Sequence, residues 1–405
     1  MRRMFSADYR AAVAAEAAGD VEQAAERYAL AGEFAGAVRM HLARAARAPT
    51  RLGELGALRD ALRWAGDDPA LRRQAAAALG KALWEAVRAE GIATERDRAK
   101  VREAADLLVI GEAHALAGEA LETIHDHLAA ANAYSAGGLV ERMELALAKD
   151  DAVQHAVHEE SDAFAGYQTA MRIGRRDEAR AELVRAIAAV NAAAAGAAGG
   201  AGTAGAAGAE YRRLLDHLDA AMLTSGKLEL RRRGKPAIVA CAAPRIVLGR
   251  DPLCDLTLRA GGVSRQHAEI EHTGEAFVLR DLDSRNGTSL AGLPLAGRVP
   301  LVGTGRFGLG DECSIDYEVT GGRLLLRLRA GLDRGVALIA GAPGERLELA
   351  PLEVGLDVVF QRSRPFVGRG ACTQVTFNDE ALGDLRIQVI RQDRLLADGE
   401  EIDVG

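Results

Sequence analysis

Residues 246–295 read IVLGRDPLCDLTLRAGGVSRQHAEIEHTGEAFVLRDLDSRNGTSLAGLPL. Short runs such as RIVLGR, DLTLRA, HAEIEH and AFVLRDL alternate apolar and polar residues with a period of two, and Gly, Pro and Asp separate them. KLELRRR and AIVACA precede them in the same style from Lys227 onward. Many short strands at close spacing predict an antiparallel sandwich or barrel.

The loops between these runs carry the chemistry. Arg250 follows the strand RIVLGR, where a guanidinium can pair with two phosphate oxygens at once, which lysine does poorly. Ser264 follows Gly261-Gly262, a turn that lets a hydroxyl and nearby N–H groups point at one anion. Arg265 adds charge and can reach either the phosphate or the residues flanking it. Asn286-Gly287 is a strong hairpin-turn dipeptide, since both central positions of such a turn want φ > 0.

Gly249-Arg250, Ser264-Arg265-x-His267 and Asn286-Gly287-Thr288, in this order and at this spacing, resemble a forkhead-associated (FHA) domain over about residues 226–320. The resemblance implies a phosphothreonine pocket built from Arg250, Ser264, Arg265 and Asn286, with Asn286 bonding the backbone of the bound peptide. It implies supporting roles for Gly249, His267, Gly287 and Thr288. Gly249 would allow close backbone approach, and His267 would bond between loops rather than act in catalysis. Preference for phosphothreonine over phosphoserine is likewise implied. Charge-assisted bonds of this kind are worth roughly 1.5–3 kcal/mol each, so losing one should weaken binding by about ten-fold or more. The competing reading is a purely structural sandwich.

Residues 321–405 repeat the strand grammar in RLLLRLRAG, GVALIAG, LDVVFQRS and LRIQVIRQ. They look like a second, degenerate FHA-type domain, in which Gly368-Arg369 echoes Gly249-Arg250 and residues 375–377 echo residues 256–258. An Asn-Gly-Thr segment, a pocket serine and the supporting histidine are missing from it. An unrelated β domain fits as an alternative.

Residues 1–190 follow a different grammar, Ala-, Glu- and Arg-rich with apolar spacing of three and four, which predicts helices. Tyr28, Phe34, Tyr134 and Tyr167 are expected to fill gaps between helical hairpins, with Ala18, Ala24, Ala31, Ala170 and Ala179 at close helix contacts. This half resembles a degenerate tetratricopeptide-like α-solenoid, whose concave surface would hold a partner protein; a spacing or dimerising scaffold is the alternative. Residues 191–209, NAAAAGAAGGAGTAGAAGA, read as a flexible linker. Residues 210–224 read as a helix that docks back on the array.

The fold class expected is therefore multidomain α + β: a helical-hairpin array, an all-β FHA sandwich and a degenerate β domain. The 405 residues carry a formal net charge of −7 with both signs interspersed, which argues against nucleic-acid and membrane-surface partners. No leader-like or membrane-spanning apolar run is read, so a cytoplasmic protein is expected. Four scattered cysteines give no zinc or disulfide pattern and are expected to be buried thiols. His125-Asp126-His127 reads as a solvated helix face rather than a metal cluster. No GxxxxGKS/T, HExxH, GxSxG or kinase signature is present, so no catalytic residue, cofactor or metal is assigned. The Ala-, Gly- and Arg-rich composition suggests a GC-rich bacterial source. The functional expectation is a non-enzymatic adaptor in Ser/Thr kinase signalling that holds a threonine-phosphorylated protein in the pocket and a second protein on the helical array. The alternative is a structural subunit whose FHA domain is vestigial or regulatory.

Overall fold

A computed structural model of the chain describes residues 6–196, 203–274 and 276–405. It divides into two compact units, one holding residues up to Asp162 with Arg185–Tyr211, the other Ala163–Val184 with Arg212–Gly405. Helices come first: α1 (Ala7–Ala17), α2 (Val21–Leu30), α3 (Phe34–Ala46), α4 (Arg51–Ala65), α5 (Pro69–Glu90), α6 (Glu95–Ile110), α7 (His114–Thr123) and α8 (His127–Ala136). Three longer ones follow, α9 (Val140–Arg172), α10 (Arg176–Gly196) and α11 (Thr203–Ala221).

In the helical unit, polar caps set the helix starts. Ser6, Asp20, Thr50, Asp68 and Asp126 each accept a first-turn N–H, and Thr94 with Asp97 forms a reciprocal capping box. A packing device occurs twice. The Tyr28 ring lies so close over Gly36 that a Cβ there would sit 2.7 Å from it, and Tyr134 covers Gly118 at 2.3 Å. Each tyrosine hydroxyl donates to a glutamate twelve residues earlier, Glu16 and Glu122, and an arginine, Arg39 or Arg142, stacks over each ring. Burial, then the Glu16 bond, pushes the Tyr28 hydroxyl up to about 12. Phe34, by contrast, is half exposed and stacks on Trp64, and Ala18 is exposed, so neither fills the inter-helix role expected of it.

Two other expectations change here. The linker read at residues 191–209 is helical at both ends, because α10 continues to Gly196 and α11 begins at Thr203; residues 197–202 lie outside the described residues. Alanine's helix preference outweighs the glycines there. His127 is buried, not solvated, and both His125 Nδ1 and His127 Nε2 lie within 3.0 Å of the Gly196 carbonyl, while Asp126 is spent as a cap.

The second unit is mostly β. Its strands are β1 (Lys227–Arg232), β2 (Ile238–Cys241), β3 (Arg245–Gly249), β4 (Leu256–Thr257), β5 (Ala268–His272), β6 (Phe277–Asp281), β7 (Thr288–Leu290), β8 (Leu293–Pro294), β9 (Arg298–Leu301), β10 (Thr304–Leu309) and β11 (Cys313–Thr320). There follow β12 (Arg323–Ala330), β13 (Ala337–Ala340), β14 (Arg346–Glu348), β15 (Leu356–Gln361), β16 (Arg364–Arg369), β17 (Val375–Phe377), β18 (Glu380–Ala381), β19 (Ile387–Gln388), β20 (Arg394–Ala397) and β21 (Glu400–Val404). Among the described residues they form a twelve-stranded sheet, β18-β17-β20-β21-β1-β2-β13-β12-β11-β10-β7-β8, faced by two small sheets, β4-β3-β5-β6-β9 and β14-β15-β16-β19.

The result is two sandwiches that share one large sheet. The first core holds Ile246, Leu248, Ile270, Phe277, Phe307 and Ile315, and the second holds Leu347, Leu356, Val358, Phe360, Val367 and Ile402. The central parallel pair β2 and β13 serves both, being buried on both faces. Val239, Cys241, Leu338 and Ala340 point into the first core, and Ile238, Ala240, Ala337 and Ile339 into the second. The four cysteines are buried free thiols, and burial pushes Cys241 and Cys313 up to about 11.

Chain order and sheet order disagree in an informative way. The β1–β2 hairpin stands just ahead of the first sandwich in sequence, yet β1 pairs with β21 of the second. The β12–β13 hairpin stands just ahead of the second sandwich, yet β12 pairs with β11 and sends Leu324, Leu326 and Leu328 into the first core. The reason lies in Gly321-Gly322, a two-residue turn with φ +57° and +78° between the paired residues Thr320 and Arg323. Positive φ at both positions is the hairpin geometry glycine tolerates, and so short a turn leaves β12 nowhere but beside β11. β1 then closes on β21, where the buried Arg232 donates to the Leu352 and Glu353 carbonyls and pairs with Glu400.

The domain expected at residues 226–320 is therefore not self-contained: its first hairpin closes the other sandwich, and its own sheet is completed by residues 323–340. The helix expected at 210–224 also differs, since α11 ends at Ala221 and Met222 bridges Ile390 of the second sandwich. In the exchanged arrangement Arg231 and Asp403 are exposed register partners on β1 and β21, at a spacing a disulfide can span. An Arg231→Cys/Asp403→Cys chain should cross-link within one molecule under mild oxidation, read by a mobility shift that a reductant reverses. Failure to cross-link in the folded protein would refute the pairing.

Candidate phosphate-binding site

Three loops of the first sandwich converge on one end: β3–β4, β4–β5 and β6–β7. Between them lies a cleft of ≈ 360 Å³. Arg250 reaches it from the first loop, Ser264 and Arg265 from the second, and Arg285 and Asn286 from the third.

The first two loops are held at backbone distance. The Arg250 N–H donates to the Ser264 carbonyl (3.1 Å) and the Asp251 N–H to the Arg265 carbonyl (3.0 Å). A Cβ on Gly249 would meet that Arg265 carbonyl oxygen at 2.1 Å, so only glycine permits the approach. Behind the cleft, His267 is fully buried. Its Nδ1 accepts from the Ser264 N–H (3.1 Å), which puts the proton on Nε2, and Nε2 donates to the Gly287 carbonyl (3.1 Å). One imidazole thus fixes the β4–β5 loop to the β6–β7 loop. The Arg285 N–H donates to Ser264 Oγ (3.0 Å), leaving the serine O–H to point at a ligand.

Asn286 does not sit at a hairpin turn. Only Gly287 has positive φ (+71°), and the tight β7–β8 turn is Ala291-Gly292, with φ +51° and +84°. The Asn286 amide instead donates to the Gly262 carbonyl (2.8 Å), a second strap between the same two loops. Its remaining N–H and its carbonyl oxygen are left for a peptide backbone. Thr288 is buried, and its hydroxyl donates to Asp281, which also accepts from the Ser284 N–H (2.8 Å) and hydroxyl (2.7 Å). Burial pushes the Asp281 carboxyl up, but these bonds and nearby His267 outweigh it and hold the group below the usual carboxylate range. The stabilisation this gives the β6–β7 loop is present above that range and is lost as pH falls through the lowered value.

The charges are arranged for an anion. Arg245, Arg259, Arg280 and Arg298 of the same sandwich are all ion-paired, to Glu269, Asp333, Glu269 and Glu271. Among the described residues no ion pair holds the exposed guanidinium groups of Arg250, Arg265 or Arg285. Together with the Ser264 hydroxyl they offer charge-assisted donors to a tetrahedral dianion. Sequence reasoning missed Arg285; its one signal is its place immediately before Asn286-Gly287. The cleft is also tied to the exchanged hairpin, because Asp333 of the β12–β13 turn takes both the Arg259 N–H and its Nε (2.6 Å), and Arg259 leads into the β4–β5 loop.

The second sandwich corrects two expected echoes. In the order β14-β15-β16-β19, β16 takes the place of β6, so Gly368-Arg369 corresponds to Arg280-Asp281 and not to Gly249-Arg250. Likewise β17 occupies the place of β7, not of β4. Between β14 and β15 only Leu349–Gly355 remain where the first sandwich has the loops bearing Arg250 and Ser264. Arg369 is paired with Asp384 (3.0 Å).

His267→Ala should cost roughly 2–4 kcal/mol in chemical denaturation, since it opens a cavity and strips the part-buried Ser264 N–H of its acceptor. Gly249→Ala should be at least as damaging, and both should lower anion affinity in the cleft as measured by calorimetry with phosphopeptide.

Residues 246–310 match the family model described as FHA domain. No curated protein matches the chain. Solved structures similar to it include the FHA-1 domain of Mycobacterium tuberculosis Rv1747, 26% identical over 23% of this chain and 95% of that one, with a TM-score of 0.19. The FHA domain of the CT664 protein from Chlamydia trachomatis is 24% identical over 21% of this chain and 89% of that one, with a TM-score of 0.18. Mycobacterium tuberculosis EmbR, solved in complex with a low affinity phosphopeptide, is 18% identical over 75% of this chain and 68% of that one, with a TM-score of 0.18. The family match and the ordered run of site motifs coincide, and residues 246–310 are an FHA domain.

Proposed function

We propose that the chain is a phosphothreonine-peptide-binding adaptor or scaffold in a Ser/Thr kinase pathway, with Arg250, Ser264, Arg265 and Asn286 as the peptide-binding residues. The observation that carries this reading is the cleft in which Arg250 and Arg265, without ion-pair partners among the described residues, meet the Ser264 hydroxyl. FHA domains are phosphopeptide-recognition modules and not catalytic ones. A phosphate with close to two negative charges and three acceptor oxygens suits those donors, and plain threonine offers them nothing comparable. Asn286 would hold the peptide backbone beside the phosphate.

The second sandwich is, on this reading, a degenerate copy of the same fold that keeps the strand order without the two phosphate-facing loops, which leaves one phosphate-binding pocket among the described residues. It stays because it supplies the partner strand for β1 and a share of the common sheet. The tetratricopeptide-like helical unit would hold a second protein; exposed Leu30, Phe34 and Leu52 on its first hairpins favour this. Among the described residues no helix is long and apolar enough to cross a membrane, which suits a cytoplasmic adaptor.

Titrating the full chain with a phosphothreonine peptide library by calorimetry tests the reading. Binding should require the phosphate, and Arg250→Ala or Ser264→Ala should each weaken it by about ten-fold or more, Arg250→Ala without lowering the melting temperature. Affinity should also decline below about pH 6, where the phosphate takes up its second proton. Equal binding of phosphorylated and unmodified peptides would sink the proposal.

A further inference from the structure

We propose that Asp333, on the β12–β13 turn, is a positioning residue for phosphopeptide binding: it holds the root of the β4–β5 loop and so sets where Ser264 and Arg265 present their donors. This rests on the phosphopeptide reading of the cleft and extends the site to a residue outside the matched residues 246–310. Asp333 is buried, although its turn neighbours Leu332 and Arg334 are exposed. Both of its oxygens serve one residue, Oδ2 accepting the Arg259 N–H (2.5 Å) and Oδ1 the Arg259 Nε–H (2.6 Å). The Arg259 side chain is 76% exposed, so water screens the ion pair and its worth is small. The bond to the main-chain N–H is the one that fixes the loop, because a charged acceptor on a backbone donor is both short and directional.

From Arg259 the constraint reaches the cleft in short steps. On one side the Leu258 N–H donates to the Gly249 carbonyl (2.8 Å), immediately before Arg250. On the other the Val263 N–H donates to the Ala260 carbonyl (3.2 Å), closing the turn that leads into Ser264. Leu258 and Val263 anchor this stretch in the first core. The crown of the loop has its own hold, since Glu312 of the β10–β11 turn accepts the Gly262 N–H (3.1 Å). The turn that carries Asp333 is itself tied down: the Val336 N–H donates to the Asp333 carbonyl (3.1 Å) and the Gly335 N–H to the Leu328 carbonyl (2.9 Å). Without the Asp333 carboxylate the Arg259 N–H loses its acceptor, and the ligand must then order the loop at the expense of its own affinity.

The test uses the full chain, calorimetry with one phosphothreonine peptide well below the melting temperature, and amide hydrogen exchange. Asp333→Ala should weaken binding by about five-fold or more and speed exchange of the Arg259 amide and the loop after it. Asp333→Asn should recover most of both, because its amide oxygen still accepts the Arg259 N–H while the ion pair is gone. Asp333→Ser, whose hydroxyl falls short of that N–H, carries the same comparison should Asp333→Ala fail to fold. In a Ser264→Ala chain the Asp333 penalty should shrink to within about two-fold, since the loop then has less to position; a role in stability alone would leave the penalty unchanged or absent. The proposal is overturned if folded Asp333→Ala or Asp333→Ser binds like the unmodified chain, or if the penalty is the same with and without the Ser264 hydroxyl. Equal binding of phosphorylated and plain peptide by the unmodified chain would instead overturn the reading of the cleft, while faster loop exchange in Asp333→Ala would still report the brace.

Discussion

The β unit depends on one short turn. Gly321-Gly322 spans the gap between β11 and β12 with two residues in positive φ, and that brevity decides which hairpin completes the first sandwich. Once β12 lies beside β11, the outer edge of β11 is occupied, β13 follows, and β1–β2 must find another edge. It finds β21. The parallel β2–β13 pair is then a consequence rather than a separate feature: it is where two completed halves meet, and its residues are shared alternately between two cores. Cooperativity between the halves follows, since neither core can lose its contributed hairpin without exposing Leu228 and Leu230 on one side or Leu324 and Leu326 on the other.

The phosphate cleft is downstream of the same arrangement. Its loops are set by polar bonds that cross between them: the His267 imidazole, the Asn286 amide, the Ser264 hydroxyl and the backbone pairs flanking Gly249. These need rigid strand ends behind them, and the cross-strand ion pairs of Glu269 with Arg245 and Arg280 tie β3, β5 and β6 together there. Asp333 adds a brace from the exchanged hairpin to the loop leading to Ser264. A pocket whose donors are already positioned binds without first ordering its own loops.

How much of this is legible in the sequence depends on how far apart the interacting residues lie. Arg250, Ser264, Arg265 and Asn286 are marked by short motifs in a fixed order, so their meeting in one cleft is readable without coordinates. The turn at Asn286-Gly287 is misread because the dipeptide's intrinsic preference yields to the Asn286–Gly262 strap, and the tight hairpin falls at Ala291-Gly292 instead. Arg285 is hidden by being one more charged residue in an Arg-rich chain. The hairpin exchange is the hardest to see, because both candidates carry the same local pattern. Gly226-Lys227-Leu228-Glu229-Leu230-Arg231 and Gly322-Arg323-Leu324-Leu325-Leu326-Arg327 are near copies, and local preference cannot choose between their partners. What does choose is the length of the connection to β11, two residues on one side and the whole first sandwich on the other.

The pairing of β1 with β21 also sets a clock on the protein's synthesis. β1 leaves the ribosome first of all the strands and β21 last, so β1 waits through the making of everything between. Meanwhile β11 emerges with a bare edge that the near-identical β1 can occupy. That opportunity lasts only while the ribosome adds β12, roughly a second at ordinary elongation rates, after which the hairpin zips within microseconds. The two glycines between β11 and β12 thus act as a timing device: by keeping the rightful strand next in line, they leave its look-alike very little time to take its place.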